Sequence, residues 1–139
     1  MDRRKFIKDT CTVCVGSAFT GMLLAGCTGT GNIYKTSVEN GKLQIPLSEF
    51  TEKKYRVIRS ISLSHDVFAY KKSDTEFMAV LMKCTHRDAP VQFTSGGLVC
   101  NEHGSKFSYE GIVLKEPATE KLKTYPVTTN NTHLIININ

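Results

Sequence analysis

Two short stretches, Cys84-Thr85-His86 and Cys100-Asn101-Glu102-His103, constrain this chain more than any other part of it. Each puts one thiol and one imidazole on a tight loop, and thirteen residues, Arg87 to Val99, lie between them. Cys-x-His followed by Cys-x-x-His offers four soft or borderline ligands to one metal centre. A single zinc takes two Cys and two His tetrahedrally. A mixed-ligand 2Fe–2S cluster takes two Cys on one iron and two His on the other. A plain Cys84–Cys100 disulfide is the third possibility, since oxidising compartments favour disulfides. Nothing in a disulfide, however, calls for a His at these two offsets.

The residues around the two stretches narrow the choice. The first loop reads Cys84-Thr85-His86-Arg87-Asp88-Ala89-Pro90 and the second Cys100-Asn101-Glu102-His103-Gly104-Ser105. Phe107 follows, then Gly111-Ile112-Val113, Pro117-Ala118, Leu122 and Tyr125-Pro126-Val127. From about Ile45 to Ile138 this order resembles the Rieske iron–sulfur family. The resemblance implies an all-β fold, a Rieske-like antiparallel β-sandwich with a small cluster-binding subdomain. It also implies one 2Fe–2S cluster held by Cys84, His86, Cys100 and His103, with a proline loop at Pro117-Ala118 covering it.

The resemblance extends to how the cluster is tuned. The branch of the family that oxidises quinols carries an extra Cys in each loop, joined as a brace. The matching positions here are Ala89 and Glu102. That branch also has a Tyr hydroxyl donating to a ligand sulfur, where this chain has Phe107. Ser105 matches a serine that donates to a bridging sulfide. Donors to sulfur raise the potential, so keeping one and losing the other implies a low to middle value within roughly −150 to +300 mV. Glu102 pulls the potential down, and Arg87 and Lys106 push it up.

The N-terminus reads as an export signal over residues 1–26. Arg3-Arg4-Lys5 opens it, a weakly apolar run from Cys11 to Gly26 follows, and small residues end it. Arg3-Arg4 before Phe6-Ile7-Lys8 resembles a twin-arginine signal, with Asp2 where Ser or Thr usually stands. Leu23-Leu24-Ala25-Gly26-Cys27 resembles a lipobox, which implies cleavage before Cys27 and lipid attached to it. An uncleaved membrane anchor is the alternative; the run is short for one. Cys11 and Cys14 then become small apolar fillers lost with the signal. Of five cysteines, Cys27, Cys84 and Cys100 remain, and none is left for a structural disulfide.

Residues 27–42 read as a lipid-anchored flexible tether, with Thr28-Gly29-Thr30-Gly31-Asn32 of linker composition. As a flexible chain, residues 28 to 42 would reach about 20 Å. Residues 43–139 read as the cluster domain. After Ile45-Pro46-Leu47-Ser48-Glu49-Phe50, a first strand and short turn, short runs between turn signals predict strands at Tyr55–Ile61, Val67–Lys71, Phe77–Lys83, Val91–Phe93, Leu98–Cys100, Ile112–Leu114, Lys123–Val127 and His133–Ile138. Ser73-Asp74 and Ser95-Gly96-Gly97 predict turns, the latter a tight hairpin between the ligand loops. His65 and His133 sit in turns without ligand spacing and are expected to have no site role.

Charge excludes one class of partner. The net charge is +5, and outside the first 26 residues 14 basic residues are interspersed with 11 acidic ones. No clustered basic face suggests nucleic acid. At 139 residues the chain is expected to be one domain, too short for a complete oxygenase with a second, mononuclear iron domain. The expected function is one-electron transfer on the exported, periplasmic side of a bacterial membrane. The expected partner is a redox protein, a cytochrome or an oxidoreductase subunit. The alternatives are a Rieske subunit of a quinol-oxidising or other periplasmic oxidoreductase complex and, outside redox chemistry, a zinc-stabilised binding module.

Overall fold

The computed structural model describes residues 31–139. The readings on Arg3-Arg4, Cys11, Cys14 and Cys27 lie outside the described residues.

Among the described residues twelve strands form three sheets, with one 3-10 turn besides. The strands are β1 (Ile33–Lys35), β2 (Lys42–Pro46), β3 (Tyr55–Arg59), β4 (Val67–Lys71), β5 (Phe77–Leu81), β6 (Val91–Thr94), β7 (Gly97–Cys100), β8 (Lys106–Phe107), β9 (Val113–Lys115), β10 (Thr124–Tyr125), β11 (Val127–Thr129) and β12 (His133–Asn137), with the 3-10 turn at Leu47–Phe50. A five-stranded sheet runs β1-β3-β4-β5-β10, a three-stranded sheet β11-β12-β2, and a four-stranded sheet β6-β7-β8-β9. All pairings are antiparallel except β1 with β3.

The period of two along a strand explains the layering. On β3, β4 and β5 successive apolar residues point to opposite faces of the five-stranded sheet, and both faces are covered. Val57, Phe68 and Val80 join one core, with Val91, Leu98 and Phe107 of the four-stranded sheet. Ile58, Val67, Ala69 and Ala79 join the other, with Leu43, Ile45, Leu134 and Ile136 of the three-stranded sheet. The five-stranded sheet is thus the middle layer. Cys84 and Cys100 belong to the first core, so the ligand loops stand on packed apolar ground.

Most strand expectations hold, and the differences have local causes. The expected strand Tyr55–Ile61 stops at Arg59, because Leu63 N–H donates to Ser60 O in a turn. The expected strand Lys123–Val127 divides at Pro126, which has no N–H to give a ladder. β10 on one side pairs with β5, and β11 on the other pairs with β12, so the chain changes sheets there. β8 escapes notice in the sequence because two residues are too few for a pattern. Residues 33–42, placed in the flexible tether, are built into the fold: Ile33, Tyr34 and Lys35 pair with Val57, Ile58 and Arg59, and β2 begins at Lys42. The Ser73-Asp74 turn forms as expected, with Lys72 N–H donating to Glu76 O at 2.8 Å. So does the β6–β7 hairpin, whose tip carbonyls at Thr94 and Ser95 accept from the Tyr109 hydroxyl.

Candidate metal centre

The two ligand loops leave the same end of the four-stranded sheet region, one before β6 and one after β7, and they share one plan. In each, the Cys carbonyl accepts from the N–H four residues on: Asp88 to Cys84 at 2.9 Å, Gly104 to Cys100 at 2.8 Å. In each, the Cys N–H donates to the carbonyl five residues on: Cys84 to Ala89 at 2.8 Å, Cys100 to Ser105 at 2.9 Å. The residue four along has a positive φ both times, 58° at Asp88 and 79° at Gly104. Glycine takes that conformation freely, whereas an L residue with a Cβ loses about 1 kcal/mol there.

These closed turns bring the two loops together. The ligand atoms of Cys84, Cys100 and His103 lie within 4.8 Å of one another. His103 Nδ1 is 3.5 Å from Cys100 Sγ. His86 stands outside that trio, but its ring meets the His103 ring edge-on, centroids 4.8 Å apart and planes at 79°. Both cysteines are fully buried free thiols, and both imidazoles are half-buried.

The chain between Glu116 and Lys121 straps both loops. Thr85 Oγ1–H donates to Glu120 O at 2.6 Å, and Ala118 N–H donates to Ser105 Oγ at 2.9 Å. Ser105 is fully buried, and its hydroxyl, having accepted from Ala118, keeps its proton for donation. Phe107 is also fully buried and packs in the core that holds both cysteines. Arg87, Glu102 and Lys106 are exposed, so their opposed charges act on the site through screening water.

Two features fit a metal group of mixed Cys and His ligation. His86 Nδ1 is a buried nitrogen without a hydrogen-bond partner. An orphaned buried polar atom costs about 1–3 kcal/mol, a penalty that bonding to a metal removes. Burial pushes the Cys100 thiol above its ordinary pKa, and the adjacent Cys84 pushes it further, against a pull from the backbone N–H of His103. Two thiols crowded in an apolar site lose their protons readily only to a cation.

His65 is one residue the sequence left out. The structure places it against the first loop, with Nε2 3.0 Å from Asp88 O and Nδ1 3.0 Å from Ser64 Oγ. No local spacing could have signalled a contact across 23 residues of chain. His133 opens β12, with Nδ1 2.8 Å from the Thr132 hydroxyl oxygen and its backbone N–H donating to Asn130 Oδ1.

Comparison with known proteins agrees with this geometry. The sequence model of the Rieske [2Fe-2S] domain matches residues 43–126. No curated protein matches the chain in sequence. Among solved structures, the fold is similar to the cyanobacterial plasma membrane Rieske protein PetC3 from Synechocystis PCC 6803, at TM-score 0.57 and 23% identity, over 68% of this chain and 97% of that one. It is also similar to a chain in the complex of reduced oxygenase and oxidized ferredoxin in carbazole 1,9a-dioxygenase, at TM-score 0.54 and 19% identity, over 71% of this chain and 94% of that one. At these identities the likeness concerns the fold.

Proposed function

The chain belongs to the Rieske [2Fe-2S] domain family, and from that premise we propose that it carries single electrons on the exported side of a bacterial membrane, held there by lipid on Cys27. The family's 2Fe–2S cluster supplies reversible one-electron chemistry when bound. Cys84 and Cys100 would hold one iron, and His86 and His103 the other. The observation that supports this most is the unpartnered, buried Nδ1 of His86 beside a trio of Cys84, Cys100 and His103. In both rings Nδ1 is the inward atom, buried in His86 and next to sulfur in His103. The half-buried rings then offer the shortest way between the site and a docked partner, a cytochrome or an oxidoreductase subunit. Among the described residues no helix is long and apolar enough to cross a membrane. The proposed attachment is the lipid on Cys27, with residues 1–26 as signal.

One preparation tests both halves of the proposal. Native protein extracted from membranes with detergent is expected to hold two iron and two sulfide per chain and to begin at a lipid-modified Cys27. Stoichiometric zinc, or a Cys84–Cys100 disulfide without metal, defeats the cofactor ligation. A chain that keeps residues 1–26, or that salt alone washes off the membrane, defeats the lipid anchor.

Ser105 and Phe107 set the potential in this reading. Ser105→Ala removes a buried donor and also leaves the Ala118 N–H without its acceptor. A hydrogen bond to a charged group is worth about 1.5–3 kcal/mol. With about 59 mV per tenfold change for one electron, the midpoint should fall by several tens of millivolts. Phe107→Tyr adds a donor in a fully packed place and should raise it. Voltammetry that finds neither variant displaced removes the tuning argument.

A further inference from the structure

We propose that His65, on the loop between β3 and β4, is a positioning residue for the first ligand loop, fixing the turn at Asp88 from which His86 is aimed. The proposal rests on the assignment of His86 as a ligand.

The two loops share a plan but not a sequence. At the left-handed position the second loop has Gly104, where a side chain would be free of contacts but glycine takes the backbone angle without strain. The first loop has Asp88 there, at φ 58°. Asp enters that region more readily than other side chains but less freely than glycine, so a neighbour that holds the turn matters. His65 provides that hold. A carbonyl can only accept, so His65 Nε2 carries the proton donated to Asp88 O at 3.0 Å. Nδ1 lies 3.0 Å from the Ser64 hydroxyl oxygen, and this second contact fixes the ring orientation.

The loop that carries His65 is itself anchored. Arg59 forks onto Asp66, with Nη2 to Oδ2 at 2.6 Å and Nε to Oδ1 at 3.0 Å. Asp66 O accepts from Met82 N–H at 2.8 Å. Two neighbouring residues therefore grip both shoulders of the ligand loop: Asp66 at Met82, just before Cys84, and His65 at Asp88, just after His86. Lys83 Nζ also reaches Asp88 Oδ1 at 3.1 Å, but that carboxylate is 77% exposed and the pair is screened. His65 adds a directional hold on the Asp88 carbonyl to the loop's own bonds, Asp88 N–H to Cys84 O and Cys84 N–H to Ala89 O.

The test compares variants of the cluster-loaded protein by two readouts: the rate at which an iron chelator bleaches the visible absorption, and the electron paramagnetic resonance spectrum after reduction. His65→Leu should bleach about tenfold faster, the low end for loss of a group that orients a metal ligand, and its spectrum should shift. His65→Gln keeps an N–H donor and should restore most of the wild-type rate. In an Asp88→Gly background the left-handed turn needs no support, so His65→Leu should add little. Wild-type bleaching and spectrum in His65→Leu would overturn the proposal. So would equal damage from Leu and Gln that persists beside Asp88→Gly, because that marks a contact unrelated to the turn. A wild-type protein with no iron or sulfide would instead defeat the ligand assignment beneath it.

Discussion

Cys84→Ser is expected to yield a colourless protein without iron or sulfide, folded in one half and loosened in the other. The loop's own hydrogen bonds survive the change, because Cys84 uses its backbone for them. What goes is the thiolate. A serine hydroxyl does not deprotonate to replace it, and it is left in a fully buried place among Ala89, Val91, Leu98 and Phe107. An unsatisfied buried hydroxyl costs about 1–3 kcal/mol, and the binding energy of the cluster, which is also folding energy, is lost with it. The damage should follow the layers. The second core, formed by residues such as Leu43, Ile45, Leu134 and Ile136, has no member in the ligand loops. Amide exchange in Cys84→Ser should therefore quicken from residue 84 to residue 107 and stay slow along β2 and β12. A Cys84→Ser protein with the wild-type visible spectrum would show that Cys84 binds no iron. Uniformly fast exchange would show that the two cores do not fold apart.

The two Cys-His loops were legible because metal chemistry fixes residue types and spacing within a few positions. The strand Val67–Lys71 was legible for a related reason: it is a short apolar run between turn signals. Which of its faces met which partner was not legible, since Val67, Phe68 and Ala69 are all buried and show no alternation. β1 was hidden by composition. Gly31-Asn32 reads as linker, and a three-residue parallel strand carries no turn that would announce it. The supports of the site were hidden by distance along the chain: Thr85 to Glu120 spans 35 residues and His65 to Asp88 spans 23. The left-handed turn at Asp88 is likewise invisible in the sequence, where a second glycine would have signalled it.

Phe107→Ala should strongly destabilise the core beneath the site. The ring is fully buried, set on β8 opposite Leu98 of β7 and Val113 of β9, within the core that includes both cysteines. Removing a buried phenyl costs about 3–5 kcal/mol, with the larger values where the surroundings cannot close on the space. Closure is restricted here. Gly97, at φ 132°, lies so near the Phe107 carbonyl that a Cβ would clash with it, so β7 and β8 already touch at that point. Against a total stability of about 5–15 kcal/mol, the loss should lower the unfolding temperature by on the order of 15–30 °C. The space left under Cys84 and Cys100 should also admit water, so visible absorption should bleach faster well below that temperature. Phe107→Leu, which refills much of the volume, should recover most of both effects. Thermal unfolding followed by circular dichroism and by visible absorbance measures the two together. If Phe107→Ala melts within a few degrees of the wild type and keeps its colour, the ring is not the floor of the metal centre.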